Sequence, residues 1–210
     1  MWKRLSEIYK PNELNILKEP ATIKENPEIL SEDVMQGDIG DCYFLSVLSS
    51  LALNPKRIKN LFPNLNISPN GLFEARIFID GEAVNVVVDD YFPFIEKEDG
   101  TFELAFAGIN HETNNIWPMI LEKIWAKVNF VYENIIKGDP SDAFEFLTPS
   151  PFNSFYHNIH HEEIFNRIVE ACEKNYVASC AINADGNVSL ADLVKMGLLS
   201  NHAYSILGYQ

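Results

Sequence analysis

Three residues have the side-chain types that thiol-based acyl transfer requires. Cys42 follows the acidic, glycine-containing segment QGDIGD and begins an apolar run, so the sequence places it at a helix start, where backbone N–H groups and the helix dipole favour a thiolate. His202 could accept the thiol proton, and the Gln36 amide could join the Cys42 N–H in an oxyanion hole. The competing interpretation is that Cys42 is a small hydrophobic core residue, the usual role of a cysteine beside an apolar helix.

The elements that would position these residues can be predicted from periodicity. Apolar residues recur at three- and four-residue intervals over 44–51, which predicts a buried helix beginning at Cys42. Asn54 and Pro55 end it and begin a second, short helix. The segment 71–94 is rich in β-branched and aromatic residues on both sides of Asp80-Gly81, which predicts an antiparallel hairpin.

The second half of the chain predicts further helices and then strands. A long helix is expected over 117–132, a short one near 142–147, and a proline-containing domain boundary at 148–151. Another helix should bury a stripe over 164–172, followed by a buried strand, YVASCAI, and a final strand near His202. This order of elements predicts the α+β class.

Composition limits the classes of function. The 210 residues are 47% hydrophobic and carry a net charge of −14, and this acidic charge argues against a nucleic-acid partner.

The sequence also indicates where the protein is located. There is no signal-peptide core and no apolar run near the roughly 18 residues that a membrane span needs, so we expect a cytoplasmic protein. Cys42, Cys172 and Cys180 cannot all pair within one chain, and we expect the last two to be core residues.

Four segments resemble the calpain family of papain-like cysteine peptidases. QGDIGDCYFL is similar to the family's active-site segment and VNVVVDDYFP to its strand with paired aspartates before a proline. IWPMILEKIWAKV with VYENI resembles its long helix, and NHAYSILG resembles its histidine strand. The segments occur in the family's order and cover roughly residues 33–208.

The resemblance implies a fold and a reaction. The fold would be papain-like, with a loop-rich lead-in over 1–35, a helical subdomain over 36–147 and a partial antiparallel-sheet subdomain over 148–210. Cys42 would be the nucleophile, His202 the general base and acid, and Gln36 the side-chain oxyanion donor of an endopeptidase that cleaves protein substrates. Regulatory domains or subunits outside this chain are also implied.

Calcium is the cofactor that the resemblance implies. Asp33, nine residues before Cys42, matches a family calcium ligand, and Asn115 stands where the family has a second acidic ligand. An amide still offers a carbonyl oxygen, but the lost carboxylate should weaken the site.

Departures from the family pattern support an alternative. The orienting asparagine that follows the family's histidine strand would lie beyond Gln210, so the 210-residue chain is expected to be poorly active. Asn201 replaces a glycine beside His202, and Tyr43 replaces a tryptophan. The alternative is a catalytically inactive calpain-like module that binds proteins, or a truncated gene product. Another papain-like thiol enzyme, such as an acyl transferase, accounts for the four segments less well.

Three other patterns favour structural roles. His157, His160 and His161 match no standard zinc spacing and predict a polar helix start. The segment ADGNVSLAD does not fit an EF-hand loop, because its glycine would place Ala181 and Asp192 at the first and last ligand positions. Asp89 and Asp90 are adjacent strand residues that point to opposite faces, so we expect them to hold a turn.

Overall fold

The computed structural model describes residues 1–10, 13–16, 29–66, 68–182 and 189–210. Its helices and strands follow one another in this order: β1 (Trp2–Arg4), α1 (Leu5–Ile8), α2 (Cys42–Ala52), α3 (Pro55–Leu61), β2 (Leu72–Ile79), β3 (Glu82–Asp89), β4 (Tyr91–Glu96), β5 (Phe102–Leu104), α4 (Trp117–Val128), α5 (Pro140–Leu147), α6 (His157–Glu173), β6 (Ser179–Ile182), α7 (Leu190–Lys195) and β7 (His202–Ser205). Short 3-10 helices lie at Ser31–Asp33 and Tyr132–Ile135. The predicted α+β class is confirmed.

Helix α2 lies at the centre of the core. Nine of its eleven residues are buried, so it needs neighbours on nearly every side. Helix α4 supplies one of them, since the Phe44 ring stacks in parallel on the Trp125 ring with centroids 5.4 Å apart. Phe146 of α5 packs on the same tryptophan at 4.6 Å. Burial of these large rings fixes the orientation of α2, and with it the position of the helix's first residue.

The strands of the described residues form three antiparallel sheets. β2 pairs with β3 across the Asp80-Gly81 turn, and both turn residues have positive φ, as the predicted two-residue hairpin requires. β1, β4 and β5 form a sheet in the order β1-β4-β5, and β6 pairs with β7. The last pair matters for the site because it carries His202, opposite Ile182.

The amino-terminal region is more regular than the sequence predicts. We expected little structure over residues 1–35, yet β1 pairs with β4 and is followed directly by α1. Arg4 pairs with Asp90 at 2.7 Å, an attachment to a residue far away in sequence. Pro11, Pro20 and Pro27, which indicated a loop-rich lead-in, lie outside the described residues.

Two predictions about helices and burial are wrong in detail. Helix α4 ends at Val128 instead of reaching Tyr132, and Phe130 beyond it has a φ of 77°, which no helix accommodates. In the second half, Phe165 of α6 is 59% exposed and Cys180 of β6 is exposed, although both were expected in the core. The periodicity correctly predicted a helix and a strand here, but it did not predict how much of each would be exposed to solvent.

Candidate active site

Cys42 is the first residue of α2 and is half-buried at the edge of the core. The carbonyl of Asp41 accepts the N–H groups of Phe44 and Leu45, at 2.8 and 3.1 Å, and so begins the helix. The Cys42 N–H is one of the first amides of the helix, which have no acceptor within it. The side chain of Cys42 and its free helical N–H thus lie at the same end of α2, which is the arrangement that attack on a carbonyl with donation to its oxygen would need.

The segment before Cys42 is held in place by a second segment of the chain. The N–H of Asp38 donates to Ala105 O at 2.9 Å, and the N–H of Gly108 donates to Met35 O at 2.9 Å. Gly37 lies so close to this second segment that a Cβ atom would come within 2.1 Å of Phe106 O. We call residues 35–41 the cysteine loop and residues 105–108 its supporting segment.

Gln36 lies in the cysteine loop, but its amide is engaged. Its Nε2 donates to Ile39 O at 3.1 Å, a bond that closes the loop on itself. The Gln36 amide, which the sequence predicts as an oxyanion donor, therefore lies in the loop before Cys42 and donates to the backbone of that loop. This bond uses one of the two N–H groups of the amide, and the other is the donor that a substrate oxygen would need.

His202 begins the strand that packs on α2. Ser49 Oγ contacts Ser205 Oγ at 3.4 Å, and Ser50 Oγ donates to Ala178 O at 2.7 Å next to β6. Ser49 is seven steps along the helix from Cys42, about 10.5 Å, and Ser205 is three steps along the strand from His202, about 10 Å. Cys42 and His202 therefore lie at similar distances, along their own elements, from the contact between the two serines. Within the described residues no hydrogen bond joins Cys42 to His202.

The His202 ring is half-buried and packs edge-on against Tyr204, with centroids 4.9 Å apart. The residue before it, Asn201, has a φ of 52°. Glycine is the usual residue at such an angle, and asparagine is among the few others that tolerate it. The replacement of the family's glycine by Asn201 is therefore compatible with the turn that leads into the histidine strand.

The residues proposed as calcium ligands meet, but their arrangement does not fit calcium. Asp33 is fully buried and accepts four hydrogen bonds: from Thr113 Oγ1 at 2.5 Å, Asn115 Nδ2 at 2.9 Å, Trp117 Nε1 at 3.0 Å and the N–H of Leu30 at 3.1 Å. An indole and a backbone N–H offer no lone pair to a cation. Calcium requires six to eight oxygen ligands, whereas this carboxylate is surrounded by donors.

Sequence reasoning missed two carboxyl groups next to the site. Asp41, immediately before Cys42, and Glu122 of α4 are 0% and 1% exposed, and each contributes to the electrostatics of the other. Burial raises the pKa of Asp41 to about 7, and burial with the Asp41 charge raises the pKa of Glu122 well above its usual value. The sequence carries no clear signal for this pair, because Glu122 lies about 100° around the predicted helix from Leu121, outside its apolar stripe.

The remaining motifs have structural surroundings. Asp89 pairs with Lys123, and Asp90 pairs with Arg4, so the two carboxylates hold the end of β3 as predicted. His157 begins α6, and His160 Nδ1 accepts the N–H of Tyr156 at 3.0 Å. No group of three or more candidate metal ligands occurs in the described ranges. The rejected EF-hand segment lies largely outside them.

Comparisons with known proteins agree with these observations. The model of a family described as calpain family cysteine protease matches residues 1–210. The calpain-1 catalytic subunits of Homo sapiens and Mus musculus are each 29% identical over 199 residues, which are 91% of this chain and 27% of theirs. Calpain clp-4 of Caenorhabditis elegans is 30% identical over 207 residues, 93% of this chain and 28% of its own. The chain thus spans little more than a quarter of these relatives.

The glycine at position 37 provides a first test of the cysteine loop. We expect Gly37→Ala to separate the loop from its supporting segment and to slow alkylation of Cys42 roughly tenfold or more, because a Cβ there overlaps a backbone oxygen. Gly40→Ala is the matched control, since its Cβ would meet only Ile136 Cγ2 at 3.5 Å. Equal alkylation rates in the two variants, measured by mass spectrometry of the Cys42 peptide, would contradict this account of the loop.

Asp33→Asn tests the interpretation of the buried carboxylate. The amide oxygen of asparagine can still accept the three N–H groups that donate to Oδ2, but the amide nitrogen must replace the oxygen that accepts Thr113 Oγ1, and the negative charge is lost. We therefore expect a loss of roughly 1–3 kcal/mol in the free energy of unfolding measured with urea. Glu32→Gln, at an exposed neighbour, should change it little. Because a ligand that binds the folded state raises the melting temperature, added calcium should give no increase that depends on Asp33. An Asp33-dependent increase would restore the calcium site.

Asp41→Asn tests the buried carboxyl next to Cys42. Asp41 binds a proton in the folded but not the unfolded state between about pH 4 and 7, so the wild type should lose stability as the pH rises through this window. The difference from Asp41→Asn should change by at most about 1.4 kcal/mol per pH unit and level off above pH 7. Asp38→Asn, in the exposed part of the loop, is the control. Parallel pH profiles for wild type and Asp41→Asn would refute the assignment.

Proposed function

Because the chain belongs to the calpain family of cysteine proteases, we propose that it forms the catalytic part of a cytoplasmic cysteine endopeptidase acting on protein substrates. The observation that carries the proposal is the packing of the Cys42 helix on the strand that begins with His202. The region 148–210 would supply the histidine side of the cleft and 36–147 the cysteine side. No described helix is both long enough and apolar enough to cross a membrane.

The proposed reaction is acyl transfer in two steps. The Cys42 sulfur attacks a peptide carbonyl carbon, the C–N bond breaks, and His202 gives the thiol proton to the leaving amine. In the second step, His202 takes a proton from water as its oxygen attacks the thioester carbonyl, the C–S bond breaks to release the acid, and His202 returns the proton to the Cys42 sulfur. During both steps the Cys42 N–H and the second N–H of Gln36 Nε2, the one not bonded to Ile39 O, donate to the oxyanion.

A dependence of the peptidase on calcium is implied only by the family resemblance. Because Asp33 is surrounded by four donors, we propose that the cysteine side of the cleft is aligned by Asp33, Asn115 and Trp117 without a calcium ion between them. A calcium requirement of the complete protein would then act at other residues. Regulatory domains or subunits outside these 210 residues stay a prediction.

Selective alkylation tests the proposal on the chain as it stands. We expect a peptidyl electrophile to label Cys42 at least about tenfold faster than Cys172, which serves as an internal reference of similar, intermediate exposure. His202→Ala should reduce the Cys42 rate roughly 100-fold, in the range expected for loss of a general base, and leave Cys172 unchanged. His161→Ala is the matched histidine control, because that ring is exposed on α6.

The same measurement distinguishes the non-catalytic alternative. The bond from Gln36 Nε2 to Ile39 O motivates that alternative, because it engages one of the two N–H groups of the proposed oxyanion donor. A binding module would show equal labelling of Cys42 and Cys172 and no effect of His202→Ala. That result, together with failure to cleave an unfolded protein, would overturn the endopeptidase proposal.

A further inference from the structure

The carboxyl groups of Asp41 and Glu122 form a buried pair between α2 and α4. Both are almost completely inaccessible. Neither oxygen of Asp41 receives a hydrogen bond from a donor group in the described parts of the chain, while Glu122 accepts the N–H of Ala107 at 3.0 and 3.2 Å through its two oxygens. The unsatisfied oxygens of Asp41 and the electrostatic contact between the two acids indicate that they face each other.

Among the described residues no cation contributes to the pKa of either acid. The other ionisable groups that interact with the pair are two phenols, Tyr43 of α2, which is affected by Asp41, and Tyr132 of the 3-10 helix, which is affected by both acids. Two buried carboxylates without a counter-charge repel each other strongly and cannot both ionise near neutral pH. The contact therefore needs a proton between the two groups.

The position of each acid decides which one holds that proton. Asp41 precedes the first turn of α2, where the helix dipole stabilises a negative charge. Glu122 lies in the middle of α4, where no such stabilisation exists. The helix dipole therefore places the negative charge on Asp41 and the proton on Glu122.

We propose that neutral Glu122 is a positioning residue that donates its carboxyl proton to Asp41 while its carbonyl oxygen accepts the N–H of Ala107. One side chain then joins the residue before Cys42 to the supporting segment on which the cysteine loop packs. The inference rests on the proposed function, because positioning of Cys42 matters only if Cys42 reacts. It adds to that function a residue outside the cleft that fixes the position of the amino end of α2 relative to the supporting segment.

Glutamine is the decisive substitution, because its amide reproduces both roles of a neutral glutamic acid. Glu122→Gln should fold, and it should retain the Cys42 alkylation rate within about threefold. Glu122→Leu keeps the volume but loses both hydrogen bonds, so it should lower that rate at least about tenfold. Glu133→Gln, at an exposed acid beyond the end of α4, is the matched control. A Glu122→Gln protein that fails to fold, or that behaves like Glu122→Leu, would contradict the proposal.

An infrared measurement tests the proton without reference to reactivity. At pH 8 exposed carboxyls are ionised, so we expect one carbonyl-stretch band of a protonated carboxylic acid in the wild type. The band should disappear in Glu122→Gln and persist in Glu133→Gln. Its absence from the wild type, or its persistence in Glu122→Gln, would overturn the assignment of the proton.

The two sets of measurements fail separately. If Cys42 alkylates no faster than Cys172 in the wild type, the proposed function is wrong whatever the infrared band shows. If Cys42 is selectively alkylated but the band does not depend on Glu122, the function stands and the positioning role of Glu122 is refuted.

Discussion

Burial of helix α2 is the constraint on which the rest of the structure depends. A helix with nine of eleven residues buried must be surrounded, yet its first residue has to reach the cleft if it is to react. The structure resolves this by covering the helix with α4, α5 and the β6–β7 pair and leaving only its amino end at the edge. Every element near the site either packs on α2 or holds the loop that enters it.

Two buried carboxyl groups lie near the amino end of α2, and each depends on hydrogen-bond donors from residues that are close in space. Asp33 is satisfied by four donors, and Glu122 can satisfy Asp41 only by contributing a proton. The first arrangement stabilises a charge, whereas the second suppresses one. The bonds to Asp33 join the region before Cys42 to the segment that leads into α4, and the proposed bond from Glu122 to Asp41 would add a second buried link next to Cys42.

The sequence predicts most strongly where the determining interactions are local. The helix at Cys42, the cap in which Asn54 Oδ1 accepts the Lys56 N–H, and the Asp80-Gly81 turn all follow from neighbouring residues, and the structure has them. Strand β1 could not be predicted, because its partner β4 is almost ninety residues away and three residues carry little periodicity. Helix α4 ends early for a reason visible only in the backbone, the positive φ of Phe130.

The same distinction holds at the site. Cys42 and Gln36 were identifiable because chemistry and helix position coincide in one segment, and His202 because its strand resembles a known one. The role of Asp41 depends on contact with Glu122, 81 residues later, and the donors around Asp33 come from residues 30, 113, 115 and 117. Such contacts follow from the packing of α4 against α2, which no single segment encodes.

A structure of the protein after reaction with a peptidyl electrophile tests the central claim most directly. The account predicts a covalent bond to Cys42 Sγ, with the ligand oxygen accepting the Cys42 N–H and an N–H of Gln36 Nε2. A bond to Cys172 or Cys180, or an oxygen that points away from the amino end of α2, would contradict it.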